Sequence, residues 1–124
     1  HHQPRRQRQM CIRDRGNHIY MSDDQPYLQI GETKYGKPIL DRMIHQDTSI
    51  GDAARVALLS LDSTMRSDLT VGPPIDLIVF KKDQINLDFQ EQLKLDSPFF
   101  KELSDIWAEQ IDNGVKKLPK FNWE

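Results

Sequence analysis

The sequence predicts an α+β fold with the element order β-β-α-α-β-β-α, and three observations carry that reading. Short strand-like runs come in neighbouring pairs, at Gly16–Met21 with Tyr27–Ile30 and at Ile75–Phe80 with Ile85–Gln90. Between and after these pairs, apolar residues recur at three- and four-residue spacing, the period of a helix face. Paired strands with helices grouped between them suit an antiparallel sheet covered by helices rather than alternating βαβ units.

Each element has its own local reason. Ser22-Asp-Asp-Gln-Pro26 is a turn between the first two strands. Pro38 suits the first turn of a helix, where its missing N–H costs nothing, and Ile39, Leu40, Met43 and Ile44 share one face of it. That helix is expected to run to about His45, where a partial positive charge is favourable. Thr48 or Ser49 with Asp52 forms a capping-box-like start to a second helix. Its apolar positions Ala53, Ala54, Ala57, Leu58, Leu61 and Met65 end near Ser67, and three alanines on one face imply close packing.

Gly72-Pro-Pro74 then breaks the chain. Ile75-Asp-Leu-Ile-Val-Phe80 is nearly all apolar, the pattern of a strand covered on both faces. Lys81–Gln84 supplies a turn, and Ile85, Leu87 and Phe89 alternate with polar residues in a return strand. Ser97-Pro98 opens the last helix with a capping serine and a proline in the first turn. Its stripe of Phe99, Phe100, Leu103, Ile106, Trp107, Ile111 and Val115 extends to about Leu118 and reads as core or subunit interface. A strand covered on both faces needs a second layer that these elements do not supply.

Composition narrows the function classes. The chain has 124 residues, 37% hydrophobic and 29% charged, with a net charge of −2. No purely apolar run is longer than the four residues of Leu77–Phe80, far short of the roughly 20 residues of a membrane span. A single cysteine, Cys11, excludes an internal disulfide framework and any multi-cysteine zinc site. The charge is unevenly spread: residues 1–15 hold five Arg against Asp14, and the other 109 residues hold 12 Lys or Arg against 18 acids. A basic arm of this kind could bind phosphates, but no aromatic residue is interleaved to stack on bases. Met10-Cys-Ile-Arg-Asp-Arg15 resembles the in-frame translation of a transposon-end sequencing adapter. Residues 1–15 are therefore expected to be a disordered artefact, and residues 16–124 the genuine domain.

Few residues carry chemistry. Gly31-Glu-Thr-Lys-Tyr-Gly36 lies between a strand and a helix but fails the P-loop pattern, and it reads as a turn with Gly31 supplying backbone freedom. His18 and His45 form no metal-ligand spacing. Ser63, Thr64 and Ser67 lack a G-x-S-x-G elbow. Asp76 interrupts an apolar strand and needs a partner if buried.

Tyr27–Arg42, Leu61–Ser67 and Val71–Phe80 together resemble the C-terminal half of the bacterial proteasome-type peptidases of the Anbu family. The resemblance covers residues 16–124, more weakly beyond Phe80. It implies the second half of a four-layer αββα sandwich of an N-terminal-nucleophile hydrolase, and so accounts for the missing layer. In that family a Thr or Ser at the mature N-terminus attacks the peptide carbonyl, its own α-amine serving as general base beside a Lys. Both groups belong to the first half, so no catalytic residue is expected in this chain and the chain alone should be inactive. The supporting active-site positions implied here are the loop Gly31, Glu32 and Thr33 and the turn Asp68 and Thr70. Glu32 stands where more distant proteasome subunits place Ser, and Val71 replaces the Ser of their Asp-x-x-Ser turn. Asp68 could orient or stabilise the ammonium form of the nucleophile's amine.

The resemblance implies identical subunits in a ring or open ring, a peptide or unfolded-protein substrate, no cofactor or metal, no nucleic acid and no membrane. It implies a cytoplasmic protein, and leaves an ATPase partner open. Two other classes compete: a non-catalytic structural ring subunit and a free-standing acidic α+β binding module. A Thr or Ser after the initiator Met, with a downstream Lys, favours the enzyme. A stable monomer with a cooperative melt favours the module.

Overall fold

The computed structural model of the chain describes residues 11–14, 17–86 and 89–124. The element order is β1 (Cys11–Asp14), β2 (Asn17–Tyr20), α1 (Lys37–Met43), α2 (Ile50–Ser67), β3 (Ile75–Val79), β4 (Phe89–Leu93) and α3 (Pro98–Lys116). The sequence of strands and helices is the expected one, and the fold class is α+β. The chain divides into two compact units, His1–Val71 and Gly72–Glu124.

The first unit is built on two helices. Pro38 sits in the first turn of α1 as expected. Ser49 caps α2, its side chain accepting the Asp52 N–H at 3.1 Å, and Asp52 places an acid in the first turn, where the helix dipole favours it. The two helices bury Leu40, Ile44 and Val56 together, with Tyr27, Ile39 and Ala53 packed against them. Leu58, 2% exposed, is the most deeply buried large side chain among the described residues. Gly36 caps α1 at the point of closest approach to α2: a Cβ there would meet the Ser60 carbonyl oxygen at 2.9 Å.

The first strand pair is not the expected one. β1 and β2 run antiparallel, with Cys11 opposite Tyr20 and Asp14 opposite Asn17. Cys11–Asp14, expected to carry no regular structure, thus pairs as a strand, whereas Tyr27–Ile30, expected as a strand, lies outside any sheet. Tyr27–Ile30 has no partner strand among the described residues, and propensity alone builds no ladder. Residues 1–10 of the expected arm, and Gly16, lie outside the described residues.

In the second unit β3 and β4 pair antiparallel, Ile75 opposite Leu93 and Val79 opposite Phe89. The four strands therefore form two separate two-stranded sheets rather than one. The return strand starts later than alternation predicted: Ile85 is 95% exposed in the connection, and Leu87 and Asp88 lie outside the described residues. One side of β3 is left half exposed at Ile78, as is Phe80 just after it, in line with a strand whose second layer these elements do not supply. Asp76 is exposed and accepts a hydrogen bond from Gln92 Nε2 at 3.1 Å across the pair. α3 starts as expected, with Ser97 accepting the Phe100 N–H at 3.3 Å, and it buries Phe100 while its outer apolar stripe stays exposed.

Candidate functional site

The first unit carries a groove of about 620 Å³. One wall is the segment Pro26–Glu32; the floor is Leu40 of α1, Ile44 at its end, and α2 at Ala53, Ala57 and Leu61. The alanines explain the volume, because a side chain of one carbon leaves the space that a leucine would fill. Ser60 and Thr64 continue the α2 wall, and Val71 closes the end. Along the opposite wall Leu28, Gln29 and Ile30 make no backbone hydrogen bonds to other backbone groups among the described residues. Gln29 Oε1 is buried there without a partner. An unmade bond at a buried acceptor costs about 1–3 kcal/mol.

The supporting residues named from the sequence fall into two places. Gly31 and Glu32 stand at the groove; Gly31 adopts φ +85°, the left-handed conformation glycine enters without cost. Glu32 Oε1 accepts the Lys34 N–H at 2.6 Å, and the Thr33 carbonyl accepts the Lys37 N–H at 3.2 Å. These bonds fold the loop onto the start of α1. Asp68 ends α2, and its Oδ1 accepts both the Thr70 hydroxyl at 2.6 Å and the Thr70 N–H at 2.9 Å. That hydroxyl, and then the N–H, hold the Asp68 carboxyl below the usual carboxylate range. Neither Asp68 nor Thr70 lines the groove.

A second polar cluster lies at the base of the loop, and its spacing was readable. Lys37 and Asp41 stand one helical turn apart, and Lys37 Nζ donates to Asp41 Oδ1 and Oδ2, each at 2.8 Å. The Tyr27 hydroxyl also donates to Asp41 Oδ1, and Gln25 Nε2 reaches the same oxygen at 2.7 Å. Lys37 Nζ lies 5.8 Å from the Tyr27 ring centroid. The Lys37 ammonium, then the Tyr27 hydroxyl, hold the Asp41 carboxyl below its ordinary range, and Asp41 in turn raises Lys37. Nothing in the sequence pattern brings Tyr27 and Gln25 to this pair, because that contact is made by the fold of the loop.

Thr64 Oγ1 donates to the Ser60 carbonyl at 2.9 Å and Ser60 Oγ to the Ala57 carbonyl at 2.7 Å, so both hydroxyls in the groove wall are engaged by their own helix. Among the described residues no group of three or more His, Cys, Asp or Glu could hold a metal ion. No helix among them is long and apolar enough to cross a membrane.

No family model and no curated protein matches the chain. Solved structures do. The chain matches the Anbu (Gly-1) mutant from Hyphomicrobium sp. strain MC1 at 43% identity and a TM-score of 0.82, over 86% of its own length and 46% of that chain. Anbu, the ancestral β-subunit, from Yersinia bercovieri matches at 40% identity and 0.80, over 86% and 45%. The helical assembly of the Anbu complex from Pseudomonas aeruginosa matches at 40% identity and 0.82, over 89% and 46%. The architecture is thus half of a proteasome-like subunit fold. More narrowly, the chain corresponds to the C-terminal half of an Anbu-family protein, and it spans a little under half the length of these relatives.

Proposed function

We propose that the chain is the C-terminal half of a self-compartmentalising, cytoplasmic peptidase that hydrolyses peptide bonds with an N-terminal Thr or Ser nucleophile. The observation that carries this reading is 43% identity to an Anbu structure over 86% of the chain and under half of that structure's length. In this reading the other half contributes the nucleophile, its α-amine and the Lys. An amine with an ordinary pKa of about 7.7–8.0 is basic enough near neutrality to take the hydroxyl proton. The attacking oxygen forms an acyl-enzyme, the amine returns the proton to the leaving nitrogen, and water then releases the acyl group.

The part played by this chain is to line and support that centre. Gly31 and Glu32 supply backbone at the groove with Thr33 tying their loop to α1, and Asp68, kept ionised by Thr70, stabilises the ammonium form of the amine. The chain by itself hydrolyses no peptide. Identical subunits assemble around a chamber, a reading supported by the helical assembly of the Pseudomonas aeruginosa relative.

The test is to sequence outward from the coding region of residues 16–124 in the source DNA. A frame that continues through about a hundred further residues to Met-Thr or Met-Ser supports the peptidase; the joined protein should then cleave fluorogenic peptides, and Thr or Ser to Ala at the nucleophile should abolish cleavage. A continuous frame without that hydroxyl residue sinks the reading in favour of a structural subunit.

A further inference from the structure

We infer that Asp41 is a positioning residue that closes the loop 28–36 by holding both of its feet, Tyr27 and Lys37, on one carboxylate. The feet belong to different parts of the chain: Tyr27 lies in the segment before the loop and Lys37 begins α1. Asp41 accepts from both, and Gln25, two residues before the first foot, bonds to Asp41 and to the Tyr27 hydroxyl at 3.1 Å. Lys37 acts twice, since its backbone N–H also bonds the Thr33 carbonyl inside the loop.

An exposed pair at i,i+4 does little by itself. Lys101 with Asp105 and Lys116 with Asp112 have the same spacing but are more exposed than Lys37 and Asp41, and each joins only residues of α3. The Asp41 cluster differs because two of its partners lie outside the helix, and because the Tyr27 ring is packed on the core of Leu40, Ile44 and Val56. Tyr27 is thereby fixed through its ring and its hydroxyl together. Bringing two chain positions together removes loop-closure entropy, and a carboxylate that binds both does so for the loop carrying Gly31, Glu32 and Thr33. Tyr27, Lys37 and Asp41 all fall within Tyr27–Arg42, the stretch on which the resemblance chiefly rests, and the peptidase chemistry uses none of them. The value of this loop to an active site rests on the function proposed above; the clip itself does not.

Limited trypsin digestion of the full chain reads the clip directly. Lys34 is the one Lys or Arg within 28–36, and the Lys37–Pro38 bond resists trypsin because proline follows. Arg55, inside α2, reports general unfolding. Asp41→Ala should raise cleavage at Lys34 about tenfold relative to cleavage at Arg55, as expected where the population of an open form controls proteolysis. Tyr27→Phe, the milder variant, should move the ratio the same way. The double variant should exceed Asp41→Ala by little, because both remove one interaction. Asp105→Ala should leave the ratio unchanged. An unmoved ratio in Asp41→Ala, additive effects of the two variants, or equal cleavage at Lys34 and Arg55 in the parent overturns the assignment. Failure here leaves the peptidase reading intact, and an upstream frame without a nucleophile leaves the clip intact.

Discussion

Gly36 lies against Ser60 so closely that a Cβ at position 36 would meet the Ser60 carbonyl oxygen at 2.9 Å and Thr64 Oγ1 at 3.1 Å. The backbone of Gly36, at φ −101°, is open to any residue, so the constraint is space and not conformation. Gly36→Ala should gain a few tenths of a kcal/mol by stiffening the unfolded chain, but it forces α1 away from a backbone atom that cannot turn aside. Overpacking of this kind costs about 1–3 kcal/mol, and the clash wins. Thermal denaturation followed by circular dichroism should show a lower midpoint. A midpoint equal to or above the parent's would show that α1 shifts freely on α2.

Gly31 presents the opposite case. Its φ of +85° is unfavourable for residues with a Cβ, while nothing lies within 4 Å of where that Cβ would stand. Gly31→Ala should therefore cost about 1–2 kcal/mol from backbone strain alone. Gly31→Asn should cost less, since asparagine visits this conformation more readily. Urea unfolding should rank the three Gly, Asn, Ala from most to least stable. Equal loss in Asn and Ala would point to a steric cause instead.

Local signals in the sequence were read well because local chemistry determines them. Ser49, Ser97 and the two prolines at helix starts act within one turn of themselves, and all four appear where expected. The breaks near Ser67 and at Gly72-Pro-Pro74 likewise mark the end of α2 and the approach to β3. Strands failed where pairing decides. Tyr27–Ile30 has strand-forming residues but no partner strand among the described residues, and Ile85 has the right alternation but precedes the paired strand. The close approach of Gly36 to α2 and the meeting of Gln25, Tyr27 and Asp41 were illegible for the same reason: both join residues more than a dozen positions apart. In the candidate site, Gly31 was identified for its backbone freedom, whereas the role of Lys37 and Asp41 needed the loop to be folded over them.

Asp68 and Thr70 give a dependence on pH with a definite sign. The folded carboxyl titrates below its unfolded value of about 3.9, because the Thr70 hydroxyl and N–H favour the charged form. Its contribution to stability is complete above that unfolded value and is lost as pH falls through the lowered folded one. Thr70→Val removes the hydroxyl donor and keeps the N–H, so the Asp68 carboxyl should titrate closer to its ordinary value. Thr70→Ser should restore the parent's behaviour. Carbon-detected NMR titration of the Asp68 carboxyl measures both; an unchanged midpoint in Thr70→Val would assign the shift to the backbone.

The outer face of α3 sets the behaviour of the isolated chain. Ile111 and Val115, one turn apart, are 50% and 61% exposed, and Leu118 and the stacked Phe121 and Trp123 continue the apolar surface beyond the helix. Several large apolar side chains exposed on a small unit favour association. Ile111→Glu with Val115→Lys replaces two apolar side chains by a pair whose i,i+4 order favours a helix by about 0.2–0.5 kcal/mol. Both new residues are also better helix formers than those they replace. Sedimentation velocity should therefore show the parent as larger species that dissociate in the double variant, with helicity by circular dichroism unchanged or raised. Association that persists at the same concentration would place the contact elsewhere, such as at the half-exposed Ile78 of β3 and the adjoining Phe80.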